Sequence, residues 1–331
     1  MTSEDFVSVV VTGKNTETTI RECIQSILNV EYPRERFEVT YVDAKSTDRS
    51  LDIVKEIGSQ HENLKYLIEP GLPGRGRNRG IKECPGQIIA FTDSDCIVDV
   101  SWLRNIVTHL TSQNEGVAGV GGPSMGPDSD PRFAKHVDNL WKTSFGSAGA
   151  RNPAYYSGLR FVDHNPTCNS AYRRWVFDKV GFFNEYLPIT EDEEFDTRIR
   201  RNGYRLLYAD DVLVWHHRKD TLESFASQMF SYGFWRAHSG KKGMVPLKPL
   251  HFAPSSLVVY ALILPLLGLL NFQLSAVPLA VYLVLGLTSG ACMAWKSRDI
   301  SCLVTLPALG LVEHTAYGLG FVSGLLANKQ V

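Results

Sequence analysis

The sequence predicts an α/β domain built on a parallel sheet, followed by a helical region that crosses a membrane. Between residues 6 and 92, apolar runs of strand length alternate with segments whose apolar residues recur at helical spacing. The 331 residues include 34 basic and 35 acidic ones, of which only five lie in 252–331, at Lys296, Arg298, Asp299, Glu313 and Lys329. Such a charge-poor tail has little polar surface to offer water.

Four strands and three helices are predicted in order along the first part of the chain. The strands are Phe6–Val11, Phe37–Val42, Lys65–Ile68 and Gln87–Thr92, and the helices between them are Thr18–Leu28, Ser50–Ile57 and Arg75–Lys82. This alternation predicts a parallel sheet with helices on both faces, and in such sheets ligands bind beyond the carboxyl ends of the strands. Residues 121–131, rich in Gly, Pro and Asp, are predicted to form a loop.

The overall composition excludes some classes of function. A formal net charge of −1 gives no electrostatic attraction to nucleic acid. The six cysteines show no metal-site spacing, which favours a reducing compartment. Residues 1–5 are polar, and the apolar run after them is only as long as a strand. We therefore expect neither a secretory signal nor a transit peptide.

Three runs in the tail are long enough to span a bilayer as helices, which takes about 20 residues each. They are 252–271, 273–295 and 300–326. The tight break at Asn271–Gln273 predicts a hairpin of the first two, with a re-entrant segment as the alternative. Basic residues precede the first run and follow the second, at Lys241, Lys242, Lys248, Lys296 and Arg298. By the positive-inside rule, residues 1–251 are expected to face the cytoplasm of a multi-pass cell-membrane protein.

Two further features lie within or beside the predicted spans. Glu313 and His314 fall inside the third run, where ionisable residues are costly, so they either contact substrate or form a satisfied hydrogen bond between helices. Before the first run, Leu222–Tyr232 has apolar residues at helical spacing, and lysines follow it. This pattern predicts either a helix at the membrane interface or a helix packed in a core.

Acidic residues follow the fourth predicted strand. Asp93 and Asp95, with Ser94 between them, place two carboxylates about 7 Å apart at a strand's carboxyl end. Mg²⁺ and Mn²⁺ bind a few carboxylate oxygens together with phosphate oxygens, so the pair suits a metal that bridges to a diphosphate. The alternative is that these acidic residues form a turn and bind no ligand.

Polar residues also follow other predicted strands. Thr12, Gly13 and Asn15 come after the first strand, and Asp43, which can accept a hydrogen bond from a nucleobase or ribose, comes after the second. The segment RGRNRGI either meets phosphate oxygens or forms a solvated basic face. Its polar residues are Arg75, Arg77, Asn78 and Arg79.

The order of these segments resembles the family 2 glycosyltransferases of the GT-A fold. The resemblance is carried by VVVTGKN, VDAKSTD, GRGRNRGI, IIAFTDSDC, NPTCNSAYRR, GFFNEYLPITEDEEFDTRIRRNGY, VWHHR and QMFSYG. The tail, with EHTAYGLGFVSGLL, is similar to membrane-attached members that build exopolysaccharides or lipid-linked glycans. The resemblance implies a nucleotide-diphospho-sugar transferase with a Rossmann-like mixed sheet in 1–236, an interfacial basic linker in 237–251 and a membrane domain in 252–331.

The resemblance also implies a reaction and its residues. It implies inverting transfer from a UDP- or GDP-sugar, with Mn²⁺ or Mg²⁺, to a lipid-linked polyprenyl acceptor or a growing glycan. The implied donor-binding residues are Thr12, Gly13, Asn15, Asp43, Arg77, Asn78, Asp93, Ser94, Asn169 and Arg173. The implied metal ligands are Asp93, Asp95 and His216, with His217 as the competing candidate for the histidine.

The segment ITEDEEF corresponds to the acidic pair of the family. That pair is Glu191 and Asp192, and the resemblance implies that the aspartate is the general base for the acceptor hydroxyl. The neighbouring carboxylates are expected to raise its pKa. An acidic helix N-terminus without a catalytic role is the alternative.

Two departures from the family pattern have consequences. VDDGSTD is common in relatives, whereas this chain has VDAKSTD, so Ala44 removes a carboxylate and leaves the nucleotide open. Processive synthases carry QxxRW after the acidic pair, whereas this chain has QMFSY at 228–232, which predicts one addition per encounter. A polyprenyl-phosphate sugar synthase with a phosphate nucleophile and a non-catalytic membrane scaffold stay as alternatives. Membrane lipids are expected partners, and a homo-oligomer stays open.

Overall fold

The computed structural model describes residues 5–147 and 157–328. Its elements in chain order are β1 (Val7–Gly13), α1 (Ile20–Leu28), β2 (Phe37–Asp43), α2 (Ser50–Gly58), β3 (Leu64–Ile68), α3 (Pro73–Glu83), β4 (Ile88–Asp93), β5 (Cys96–Val98), α4 (Trp102–Thr111), β6 (Val117–Gly121), β7 (Ser124–Met125), α5 (Arg132–Trp141), α6 (Ser144–Ser147), β8 (Arg160–Val162), β9 (Ser170–Arg173), α7 (Trp175–Val180), α8 (Glu191–Arg201), β10 (Arg205–Tyr208), β11 (Val214–His216), α9 (Leu222–Lys241), α10 (Ala253–Ser297) and α11 (Cys302–Leu326). The strands and helices predicted before residue 93 all form within about two residues of their expected bounds.

Contacts divide the described chain into two units. The sheet unit comprises residues 5–125 and 157–217, and the helical unit comprises residues 126–147 and 218–328. Position 236, the predicted end of the first domain, lies inside α9 of the helical unit, as do the first residues of the predicted linker 237–251. The assignment of roles to these three predicted segments stays a prediction.

The sheet unit is built on a mixed sheet with the strand order β3-β2-β1-β4-β9-β6-β10-β8. The first four strands run parallel, as the βαβ alternation predicts. β9 runs antiparallel to both of its neighbours, β4 and β6, which makes the sheet mixed. Three short strands form a second sheet in the order β5-β11-β7. The predicted α/β class is confirmed.

Helices cover both faces of the large sheet, as expected from its apolar strands. Alternate residues of β1 point to opposite faces. Val9 belongs to a core that includes Ile24 of α1, whereas Val10 belongs to a separate core that includes Phe195 of α8. β1 lies between β2 and β4 in the sheet, so its carboxyl end is flanked by the carboxyl ends of those two parallel strands.

The helical unit contains three helices that are long and apolar enough to cross a membrane, in the segments Pro249–Leu269, Gln273–Ser297 and Cys302–Leu326. The first two form α10, which breaks at Asn271, where φ is −160° and ψ is 100°. These segments correspond to the three spans predicted from the sequence.

Part of the apolar stripe of α9 packs in a core, whereas Leu222 at its start is exposed. Phe225 and Met229 are buried in a cluster that includes Leu306 of α11. The backbones of α9 and α11 approach so closely that a Cβ at Gly320 would overlap the carbonyl oxygen of Phe230. The small residues of the third span therefore serve close helix packing, as they do in many membrane helix pairs.

The two ionisable residues of the third span form hydrogen bonds within the helical unit. Glu313 accepts a hydrogen bond from the indole of Trp141 at 3.0 Å. His314 lies 2.8 Å from the hydroxyl of Tyr282. Each residue thus makes a contact between helices of the kind that the sequence offered as one alternative.

Candidate active site

The carboxyl ends of three parallel strands bring the first predicted site residues together. Gly13 pairs with Asp43 across β1 and β2, and Thr12 pairs with Asp93 across β1 and β4. A Cβ at Gly13 would lie 2.7 Å from the hydroxyl oxygen of Ser94, so glycine allows these two turns to approach. The predicted cluster at the sheet edge therefore exists in the fold.

The loops after β1 and β2 are tied to each other through side chains. Asp43 is 1% exposed, and its carboxylate accepts from the backbone N–H of Ser46 at 2.8 Å, from the Ser46 hydroxyl at 2.6 Å and from Tyr41 at 3.1 Å. Asn15, in a left-handed conformation, accepts from the N–H of Thr47 at 2.8 Å. Asp43 thus fixes the shape of this edge, and its direct contact with a donor stays a prediction.

A single arginine joins the acid after β4 to the acidic helix α8. Arg77 lies on α3 and is 5% exposed. One of its terminal nitrogens donates to Asp93 at 3.0 Å and the other donates to Glu191. The sequence predicted a phosphate contact for Arg77, but its guanidinium links the two acidic motifs, which lie far apart in the chain.

The two members of the acidic pair have different surroundings and opposite pKa shifts. Burial raises the pKa of Glu191 to about 7, although Arg77 lies against it. Burial also acts on Asp192, but the positive charges of His164 and Arg77 outweigh it and hold the pKa of Asp192 below the usual carboxyl range. The expectation that neighbouring carboxylates raise the pKa of Asp192 is therefore wrong.

The residue that the sequence reasoning missed is His164. Its Nδ1 lies 2.8 Å from Asp196, and its Nε2 lies 3.8 Å from Asp192. Asp192 and Asp196 are four residues apart on α8 and so share one face of the helix. The four-residue spacing of Asp192 and Asp196 is visible in the sequence. It is the signal that could have prompted a search for a histidine lying between the two carboxylates in the fold.

Asp95 and His216 lie together because of strand pairing in the small sheet. His216 of β11 pairs with Cys96 of β5, and its Nε2 lies 3.3 Å from the Asp95 carboxylate. His217, the next residue, points elsewhere, with its Nε2 3.5 Å from Glu22. Among the described residues, metal-ligand atoms of Asp95, Cys96 and His216 all lie within 4.8 Å of one another. Asp93 is not in this group.

Two predicted donor residues have their amide groups occupied by the scaffold. Asn78 donates to the backbone carbonyl of Phe183 and to Glu185, both at 2.9 Å. Asn169 is fully buried, accepts from the indole of Trp102 at 2.9 Å and donates to two backbone carbonyls. Both amide groups therefore hold neighbouring segments in place, and their direct contact with a donor stays a prediction.

Arg173 lies at the opposite edge of the sheet from the acidic motifs. It pairs with Ile88, the first residue of β4, whereas Asp93 is the last. At about 3.3 Å per residue, the length of the strand separates the two. Its guanidinium donates to the backbone carbonyls of Leu110, Gln113 and Val117. The structure does not bring Arg173 to the candidate site.

Comparisons with known proteins agree with this arrangement. Residues 8–181 match the profile of glycosyl transferase family 2. The chain is 23% identical over 331 residues, 98% of each protein, to the dolichyl N-acetyl-α-D-glucosaminyl phosphate 3-β-D-2,3-diacetamido-2,3-dideoxy-β-D-glucuronosyltransferase of Methanococcus voltae. It is 31% identical over 219 residues to glycosyltransferase AglE of Haloferax volcanii, which covers 64% of this chain and 66% of AglE.

A solved structure shares the fold over nearly the whole chain. The mannosyltransferase PcManGT from Pyrobaculum calidifontis, solved with GDP-Man and Mn²⁺, superposes with a TM-score of 0.62 at 19% identity. The match covers 99% of this chain and 89% of that one. At this identity the likeness shows the fold, and the GT-A fold that the sequence resemblance implies is confirmed.

Because Arg77 is buried between two carboxylates, we predict that the stability lost on its replacement depends on pH. Replacing Arg77 with Met leaves Asp93 and Glu191 without their shared cation, and breaking a buried pair in this way costs about 3–5 kcal/mol of unfolding free energy. The pKa of Glu191 is already raised in the folded chain, so the folded state binds its proton more tightly than the unfolded state does. The destabilisation should therefore be largest near pH 8 and shrink towards pH 5.

Thermal unfolding of the full chain in detergent between pH 5 and 8 measures this effect. Arg173→Met is the matched control, because it also removes a partly buried guanidinium but one that binds neutral carbonyls. Its destabilisation should not vary with pH. A loss of stability in Arg77→Met that is the same at every pH contradicts the prediction.

Proposed function

Since this chain belongs to glycosyl transferase family 2, we propose that it moves a single sugar, with inversion, from a nucleotide-diphosphate donor to a hydroxyl of a lipid-linked acceptor at a membrane surface. The reaction is proposed to need a divalent metal. The observation that carries the proposal is the bridge from Arg77 to Asp93 and Glu191, which sets the acids after β4 beside the acidic pair of α8. A diphosphate bound at the acids after β4 and a base in the acidic pair of α8 would then lie on opposite sides of one sugar ring.

The proposed metal ligands are Asp95 and His216. One carboxylate and one imidazole suit Mn²⁺ and leave most coordination positions to diphosphate oxygens and water. The neighbouring Cys96 offers a soft thiol, which suits Mn²⁺ less well than oxygen ligands do. A bound metal would neutralise the charge that develops on the leaving diphosphate.

Asp192 is the proposed general base. Its side chain is 21% exposed, whereas Glu191 is 7% exposed and paired with Arg77, so only Asp192 offers a carboxylate to a substrate. In the proposed step, the acceptor oxygen forms a bond to the anomeric carbon while the bond to the diphosphate breaks. The hydroxyl proton passes to Asp192, and the nucleoside diphosphate leaves on the opposite face.

Two observations support the proposed lipid-linked acceptor. The Methanococcus voltae relative matches along 98% of its length, and its name gives a dolichyl-phosphate-linked sugar as the acceptor. The three apolar helices suit an enzyme that works on a membrane-embedded lipid. The donor is proposed to be a UDP- or GDP-sugar, and a panel of both classes with release of nucleoside diphosphate as the readout identifies it.

Replacing Asp192 tests the base. Asp192→Asn should lower the transfer rate about 10²- to 10⁴-fold while the donor still binds, because only the proton acceptor is lost. Release of nucleoside diphosphate in detergent measures the rate, and Asp178→Asn, at an exposed position of α7, is the control. Near-normal transfer by Asp192→Asn would overturn the base role and favour the alternative with a phosphate nucleophile, which needs no strong base.

Substitutions of two adjacent histidines test the proposed metal site. His216→Gln should raise the Mn²⁺ concentration for half-maximal activity by about tenfold or more, since even the loss of groups that only support a ligand costs 10- to 100-fold in metal affinity. His217→Gln should leave the Mn²⁺ dependence unchanged, because its side chain faces Glu22. A Mn²⁺ titration of both variants measures this. Equal effects would remove His216 from the site.

The sidedness of the helices follows from the positive-inside rule. The proposal that the sheet unit lies on the cytoplasmic side is supported by Lys241, Lys242 and Lys248 before the first helix. Gln273→Cys, at the turn between the first two helices, should then react with a membrane-impermeant maleimide in intact cells. Ile300→Cys, before the third helix, should react only after permeabilisation. The reverse pattern would invert the proposed topology.

A further inference from the structure

A histidine that the proposed chemistry leaves unused lies between two carboxylates of α8. His164 follows β8, and its ring reaches Asp196 through Nδ1 at 2.8 Å and approaches Asp192 through Nε2 at 3.8 Å. The Asp192 carboxylate also accepts a hydrogen bond from the backbone N–H of Thr167 at 3.4 Å. His164 and Thr167 belong to one stretch of chain, which therefore contacts the proposed base from one side.

Asp196 is held so firmly that it fixes the orientation of the imidazole. It is fully buried, and one of its oxygens accepts from the hydroxyl of Tyr172 at 2.8 Å. Its other oxygen accepts from the backbone N–H of Asn165 at 2.9 Å and faces Nδ1 of His164. With Nδ1–H donated to Asp196, the ring turns Nε2 towards Asp192, because the two nitrogens lie on opposite sides of the imidazole.

The charges around Asp192 show why a second cation is needed there. α8 brings Glu191, Glu193 and Asp196, β9 brings the neutral Tyr172, and α3 brings Arg77, which is paired with Asp93 of β4. The guanidinium of Arg77 forms its hydrogen bonds with Asp93 and Glu191 rather than with Asp192. Of the two positive charges that act on the Asp192 carboxylate, His164 acts more strongly than Arg77.

We propose that His164 is a positioning residue for Asp192: clamped by Asp196, its imidazolium supplies the counter-charge that keeps the Asp192 carboxylate ionised and fixed in place. The inference rests on the proposed base role of Asp192. In the transfer step, the acceptor proton moves to Asp192, and His164 keeps its own proton throughout. The histidine touches neither donor nor acceptor in this scheme.

The direction of the pKa shifts agrees with this role. Burial lowers the pKa of His164, but Asp192 and Asp196 raise it to about 9, so the ring is charged at neutral pH. The same attraction contributes to the low pKa of Asp192. Removing the cation raises the pKa of Asp192, so the carboxylate becomes protonated, and transfer stops, at a higher pH than in the wild type.

The pH dependence of transfer tests the inference with the full chain in detergent. In His164→Gln, which keeps a polar side chain but no charge, the acidic limb of kcat should move up by about 1–3 pH units, the usual effect of one nearby opposite charge. The KM for the UDP- or GDP-sugar that supports turnover should change by less than about twofold. An acidic limb at the wild-type position overturns the inference.

A second histidine provides the matched control. His109 lies 2.7 Å from Asp211, so its ion pair resembles that of His164 and Asp196, but it faces none of the residues assigned to the site. His109→Gln should leave the pH profile unchanged. If Asp192→Asn is fully active, the proposed base role fails. If Asp192→Asn is inactive and the His164→Gln profile matches the wild type, only the role of His164 fails.

A direct titration keeps the inference testable if His164→Gln does not fold. Nitrogen-15 NMR of the unaltered chain with labelled histidines should show a ring that stays protonated beyond pH 8, in addition to the ring of His216, whose pKa Asp95 also raises. In Asp192→Asn the midpoint of one of these two rings should fall by about one pH unit or more, while the other stays in place. A set of histidines that all titrate near pH 6.5 or below would overturn the charged state on which the role depends.

Discussion

The candidate site depends on the guanidinium of Arg77. It is buried, and it holds Asp93 at the end of β4 and Glu191 at the start of α8 in fixed positions relative to each other. Burying these charges is costly unless the cation and the carboxylates are paired with good geometry. The arginine therefore both neutralises the two motifs and determines their spacing, which no hydrophobic contact of similar size would specify. Without it, the two acidic segments would repel each other across the sheet edge.

The same arrangement explains why two adjacent carboxylates differ. Successive residues of a helix point about 100° apart, so Glu191 faces Arg77 and the protein interior while Asp192 faces His164 and is partly open. Burial dominates for Glu191 and raises its pKa, whereas nearby positive charge dominates for Asp192 and lowers it. The pKa values of two neighbouring acids are thus shifted in opposite directions, and the open one is the stronger acid.

Sequence periodicity predicted the fold well because burial of alternating apolar runs is a local signal, as in β1, which is apolar on both faces. It also predicted which strand ends would carry polar residues. It failed where function depends on pairing between distant segments. Whether His216 or His217 faces Asp95 depends on the register between β11 and β5, and the position of Arg173 depends on β9 running antiparallel to β4. Counting like charges near Asp192 gave the wrong sign because His164 comes from elsewhere in the chain.

A low pKa for the base constrains the order of events in the proposed transfer. A weakly basic carboxylate takes the proton of a hydroxyl only after that oxygen has become acidic, that is, after its bond to the anomeric carbon has largely formed. Departure of the diphosphate must then run ahead of proton transfer, and most of the stabilisation falls on the leaving group. In that case the groups near the diphosphate carry the larger share of the stabilisation, and Asp192 accepts the proton late in the same step. A counter-ion such as His164 suits this order, since it keeps the base ionised without making it stronger.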